Sequence, residues 1–77
     1  MQLYLYSTTH CHLCEKAENL LQPVCSKLDL TWQSVEISDD SQLLNLYETK
    51  IPVLKRTDTN EELLWPFDAQ QIATFLR

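Results

Sequence analysis

The run Leu3-Tyr4-Leu5-Tyr6 constrains the fold more than any other stretch, because it is apolar at odd and even positions alike. Successive side chains of a strand point to opposite faces, so residues 2–6 read as a strand buried on both, as in the centre of a sheet. A different periodicity follows. Leu13, Ala17, Leu20, Leu21, Val24 and Leu28 recur at helical spacing and form one apolar stripe. A helix placed between two strands of one sheet makes them parallel through a right-handed crossover. Pro23 interrupts the stripe and removes the bond to the carbonyl of Asn19. Because the stripe continues in phase to Leu28, the expectation is a bent but continuous helix.

Between strand and helix stands Thr9-His10-Cys11-His12-Leu13-Cys14, with Thr8 or Thr9 available as the helix cap. A helix start exposes unpaired N–H groups and the positive end of the macrodipole. A thiol there loses its proton more easily, since those donors stabilise the thiolate. The second sulfur, one turn on, comes within reach of the first once that sulfur has bonded to something else. The spacing therefore points to thiol redox chemistry. His10, Cys11, His12 and Cys14 also supply soft metal ligands, yet four ligands in five residues cannot all wrap one tetrahedral ion. No distant C-x-x-C or His pair completes a zinc site, so no metal ligands are assigned. An iron–sulfur cluster shared between two chains through Cys11 stays as an alternative, as does a redox-inert interaction domain.

The remaining elements follow in order. Residues 31–37 are β-branched and aromatic enough for a strand nearer an edge. Ser38 or Asp39 then caps a short helix, Gln42 serving as capping-box partner to Asp39, with Leu43, Leu44 and Tyr47 on its buried side. That helix stops before Ile51, since Pro52 drives the preceding residue out of helical geometry. Residues 51–55 and 62–65 read as two strands joined through 56–60, an Asp- and Asn-containing hairpin loop. Asp68 with Gln71 forms a second capping box, opening a final helix that buries Ala69, Ile72, Phe75 and Leu76. The order is β-α-β-α-β-β-α, an α/β domain with a four-stranded mixed sheet and three helices, spanning residues 1–77.

Composition narrows the function classes. A net charge of −5 argues against nucleic acid or anionic membrane as partner, because both require a basic face. The sequence contains no glycine, where about five would be usual, so glycine-dependent phosphate loops are excluded and turns fall to Asn, Asp, Ser and Pro. Three cysteines, an odd number, do not read as a secreted disulfide scaffold. With Leu3 already in a strand, no signal or transit peptide is expected ahead of the fold, and no apolar run approaches a membrane span. The expected compartment is the reducing cytoplasm, where a C-x-x-C is more often catalytic or metal-binding than structural.

The element order, the C-H-L-C of Cys11 to Cys14 at the first strand–helix junction, and Ile51-Pro52 opening the third strand together resemble a glutaredoxin within the thioredoxin superfamily. The closer resemblance is to small bacterial glutaredoxin-like proteins with a C-H-L-C start and a Trp-Pro-Phe-Asp near the end, here Trp65 to Asp68. The resemblance covers essentially the whole chain. It implies a thiol–disulfide oxidoreductase of the thioredoxin-like fold, with Cys11 as nucleophile, Cys14 as resolving thiol and a redox disulfide between them. It further implies that Pro52 is a cis proline beside the sulfurs, with Ile51 offering its backbone N–H and C=O to the substrate. No bound cofactor is implied, the substrates are protein or low-molecular-weight disulfides, and a monomer is expected.

Two departures bear on the electron donor. Glutathione-using glutaredoxins carry Lys or Arg three residues before the first cysteine, where Thr8 stands here, and a Gly-Gly pair ahead of the Asp, where Trp65, Pro66 and Phe67 precede Asp68. Glutathione is thus one candidate reductant beside a thioredoxin-like donor or a protein partner. Several side chains have two readings. His12 is either a solvated first-turn residue or a charge that stabilises the Cys11 thiolate. His10 reads as solvated. Cys25 lies about 21 Å along the helix from Cys11 and reads as a half-buried core thiol. Asp68 is a helix cap with substrate contact as a second role, and Trp65 and Phe67 are packing residues or an aromatic wall beside the site.

Overall fold

Leu3 and Leu5 turn one way from the first strand and Tyr4 and Tyr6 the other, and each set meets its own hydrophobic cluster. The computed structural model describes residues 2–77. Its elements are β1 (Leu3–Ser7), α1 (His12–Lys27), β2 (Trp32–Glu36), a 3-10 turn (Ile37–Asp39), α2 (Ser41–Tyr47), β3 (Val53–Arg56), β4 (Glu62–Leu64) and α3 (Ala69–Phe75). The sheet order is β2-β1-β3-β4, so β1 is central and β2 lies at an edge, as their compositions imply. β1 and β2 are parallel across α1; β3 is antiparallel to β1 and to β4. This is the mixed four-stranded sheet with three helices expected of the thioredoxin-like fold.

One face of the sheet packs Leu3, Leu5 and Leu54 against Ala17, Leu21 and Cys25 of α1 and against Ile72 and Leu76 at α3. The other packs Tyr6 and Val53 against Ile37 and Tyr47, with Leu43 and Leu44 of α2 at its margin. Tyr6 and Tyr47 stack at 4.4 Å. The Tyr47 hydroxyl donates to the carboxylate of Glu62, tying α2 to β4. Burial, then the bond to Glu62 and its charge, push the Tyr47 phenol well above its ordinary range.

Several local expectations change. α1 runs unbroken through Pro23, but Leu13 and Leu28 at the ends of its stripe are 43% and 44% exposed. The buried line of α1 runs through Cys14, Ala17, Leu21 and Cys25, so Leu13 falls beside it in the first turn and Leu28 stands beyond the last. Neither Thr8 nor Thr9 caps α1; Cys11 does. Ser38 and Asp39 are absorbed in the 3-10 turn, and Asp40 caps α2 by accepting from the N–H groups of Gln42 and Leu43 at 2.8 and 3.4 Å. Ile51 and Pro52 precede β3 rather than opening it, and Trp65 follows β4. Ala69 is exposed in the first turn of α3, while the capping box of Asp68 and Gln71 forms as expected.

Without glycine, the left-handed positions fall to His10, Asp29 and Asn60, at φ 59°, 55° and 62°. These residue types tolerate that region better than most. Asp29 stands where glycine would usually close a helix: its N–H reaches Ser26 O, and that of Leu30 reaches Cys25 O at 2.9 Å.

Candidate active site

Strand directions gather the chemistry at one end of the sheet. Register pairs Tyr6 with Val53, Ser7 with Glu36 and Val53 with Leu64. The ends of β1, β2 and β4 and the start of β3 therefore lie together. From that end emerge the loop to Cys11, the Ile51-Pro52 segment and the stretch from Trp65 to Asp68.

Cys11 is the N-cap of α1, in extended backbone geometry, and its Sγ accepts the N–H of Cys14 at 3.2 Å. Cap side chains normally use oxygen for this bond; here the sulfur itself is placed among the unpaired donors of the helix start. Cys11 and Cys14 are joined as a disulfide with Cα atoms 5.2 Å apart. Cys11 is half-buried, whereas Cys14 is only 3% exposed. One sulfur faces the approach and the other stands behind it.

The remaining candidates are placed less uniformly. His12 extends into solvent, its side chain 92% exposed, with Nδ1 3.7 Å from Glu15 Oε2. His10 is exposed in the loop. Pro52 is buried and its bond to Ile51 is cis. The N–H of Ile51 donates to Tyr47 O at 3.1 Å, so the hydrogen expected to face a substrate is already committed within the chain. Asp68 accepts the N–H of Gln71 at 2.8 Å and donates its own to Gln71 Oε1 at 2.9 Å, which is the cap reading realised. Phe67 is core, and half-buried Trp65 meets it edge-on at 5.1 Å. Cys25 is 2% exposed in the α1 core, more deeply than expected, and burial pushes its thiol up. Among the described residues, no group of three or more His, Cys, Asp or Glu is arranged to hold a metal ion. No helix there is long and apolar enough to cross a membrane.

One contributor went unread in the sequence. Glu36, ending β2, accepts the N–H of Thr9 at 2.9 Å through Oε1 and that of Ser38 at 3.1 Å through Oε2. The Ser38 N–H, then the Thr8 hydroxyl, hold its carboxyl below the usual range, with Thr9 adding to them against the opposing effect of burial. No local pattern signals this, because Thr9 is 27 residues away. Trp65-Pro66, a second cis bond, was likewise unforeseen.

The model of the family described as Glutaredoxin-like domain (DUF836) matches residues 2–77. The crystal structure of target protein XcR50 from X. campestris is 36% identical with a TM-score of 0.85, the match covering 96% of this chain and 93% of that one. The solution structure of protein Ne2328 from Nitrosomonas europaea is 27% identical with a TM-score of 0.81, over 96% of this chain and 88% of that one. Thioredoxin 1 from Thermosipho africanus shares the fold at 10% identity, with a TM-score of 0.74 over 99% of this chain and 90% of that one. No curated protein matches the chain.

Proposed function

This chain belongs to the glutaredoxin-like domain family, and from that premise we propose that it is a thiol–disulfide oxidoreductase using Cys11 and Cys14 in a dithiol cycle. The observation that carries the reading is the Cys11 sulfur at the helix cap, accepting the Cys14 N–H, with Cys14 buried behind it. Donors aimed at a sulfur favour its thiolate, and the thiolate is the nucleophile.

The steps balance as an exchange of two electrons. The Cys11 thiolate attacks one sulfur of a substrate disulfide, and the other sulfur leaves as a thiolate that takes a proton from solvent. Cys14, deprotonated, then attacks Cys11 Sγ, breaking the mixed disulfide and expelling the second substrate thiolate. The Cys11–Cys14 disulfide of the structure corresponds to the oxidised end of this cycle. A dithiol donor returns the pair to the reduced state by the same chemistry in reverse. Ile51 contributes its carbonyl to the substrate, since its N–H is held by Tyr47. Pro52 lines the approach to the sulfurs. Asp68 serves first as the cap of α3 and second as a contact at the rim. His12 is turned into solvent beside Glu15, away from the Cys11 sulfur's helix donors, and takes no direct part in this cycle.

The substrates in this reading are protein or low-molecular-weight disulfides, met by a monomer in the cytoplasm. A thioredoxin-like donor suits the site better than glutathione, because Thr8 supplies no cation and Trp65-Pro66-Phe67 gives no glycine pair ahead of Asp68. The test is Cys14→Ser. The variant should accumulate a mixed disulfide on Cys11, located by peptide mass spectrometry after exposure to a disulfide substrate. An adduct on Cys25 instead, or a Cys11 that ionises near the ordinary thiol value of about 8.5, would overturn the assignment.

A further inference from the structure

We propose that Glu36 is a positioning residue for Cys11, its carboxylate holding the loop that presents the sulfur in the geometry of a helix cap. The proposal rests on the thiolate reading above and adds a residue from a different strand.

The loop of residues 8–10 turns at Thr9 and His10, and the turn carries a strained position. His10 lies at φ 59°, a conformation unfavourable for a residue with a Cβ, and no glycine is available to relax it. Glu36 supplies the external anchor. Its Oε1 takes the Thr9 N–H at 2.9 Å and its Oε2 the Ser38 N–H at 3.1 Å. Both oxygens act as acceptors of backbone N–H groups, so a carboxylate fits and an amide satisfies only one of the two. Ser7, the last residue of β1, pairs with Glu36 in the sheet, which fixes the starting point of the same loop. The chain is thus fixed at Ser7 and clamped at Thr9, two residues before the nucleophile. Released from that clamp, His10 relaxes toward negative φ and Cys11 leaves its cap conformation. The Cys11 sulfur then loses the Cys14 N–H.

Two other roles for Glu36 make opposite or null forecasts, which gives the test its discrimination. As a nearby negative charge alone, Glu36 would disfavour the thiolate, so its removal would lower the Cys11 pKa. As a structural brace alone, its removal would lower Tm and leave that pKa where it was. As a positioning residue, its removal raises the pKa, because the sulfur loses a donor.

The experiment is the pH dependence of iodoacetamide alkylation at Cys11 in the reduced full chain, read by peptide mass, for the unmodified protein, Glu36→Ala and Glu36→Gln. Glu36→Ala should raise the Cys11 pKa by about one unit, the scale set by losing one hydrogen bond to a charged sulfur. Glu36→Gln should raise it by roughly half as much, since one anchor survives. A fall, or no change with only a lower Tm, overturns the proposal, and Glu36→Gln decides alone if the alanine variant does not fold. An ordinary pKa in the unmodified protein would instead remove the thiolate reading itself, so the two failures are distinguishable.

Discussion

Replacing Asp68 by alanine separates the two roles open to this residue, and the structure sets the size of the effect. The Asp68 carboxylate accepts from Gln71 N at 2.8 Å and Gln71 Oε1 accepts from Asp68 N at 2.9 Å, both at the exposed start of α3. Loss of such a cap costs about 1 kcal/mol, because the N–H groups left behind are re-solvated rather than orphaned. In a domain of this size about 1 kcal/mol lowers Tm by roughly 4–8 °C. Asp68→Asn keeps an oxygen acceptor and loses only the favourable charge at the helix start, about 0.3 kcal/mol at an exposed site. Gln71→Ala removes the reciprocal bond, and its combination with Asp68→Ala should cost less than the sum, since the two bonds form one unit. Urea and thermal unfolding of the oxidised protein compare the four variants with the unmodified chain. If Asp68→Ala left stability unchanged while slowing disulfide exchange tenfold, the cap account would be refuted and substrate contact would be the primary role.

Tyr47→Phe keeps the stack on Tyr6 but removes the bond to Glu62, and should destabilise by about 1 kcal/mol near neutral pH in urea unfolding. The folded-state pKa of Tyr47 is raised above its unfolded value of about 10, so its contribution is fully present below that pH and is lost as pH rises through the folded value. Stability should therefore decline above about pH 10, and less steeply in Tyr47→Phe; an unchanged slope would contradict the assignment. Cys25, 2% exposed and with its thiol pushed up by burial, should react with a thiol reagent only at the rate of unfolding. Fast stoichiometric labelling of the oxidised native protein would show that the α1 core opens on its own.

The parts of the site legible in the sequence are those whose cause is local. Cys11 and Cys14 stand between a strand pattern and a helical stripe, so their place at a helix start follows from a few adjacent residues. The Asp68–Gln71 capping box is a four-residue pattern, and it forms. Leu13 misled because an apolar stripe several residues wide does not say which of its edges meets the sheet; Cys14, one residue on, takes the buried position and Leu13 is exposed. Cys11 itself was missed as the cap because oxygen-bearing Thr8 and Thr9 were the conventional choices. Asp40 was missed as the cap of α2 because the 3-10 turn took up the residues ahead of it.

By itself the amino-acid order determined that β1 lies inside a sheet, that a parallel crossover follows it, and that two sulfurs meet the chain at that crossover. Each is a matter of neighbours within one or two turns, where sterics and side-chain period act directly on the backbone. Tertiary structure alone decided which sulfur is buried, that the Tyr47 carbonyl receives the Ile51 N–H, and that Glu62 receives the Tyr47 hydroxyl. It alone brought Glu36 beneath the loop before Cys11. Those bonds join residues made adjacent only when separate strands pair, and a strand end shows nothing in sequence of what the sheet will lay beside it.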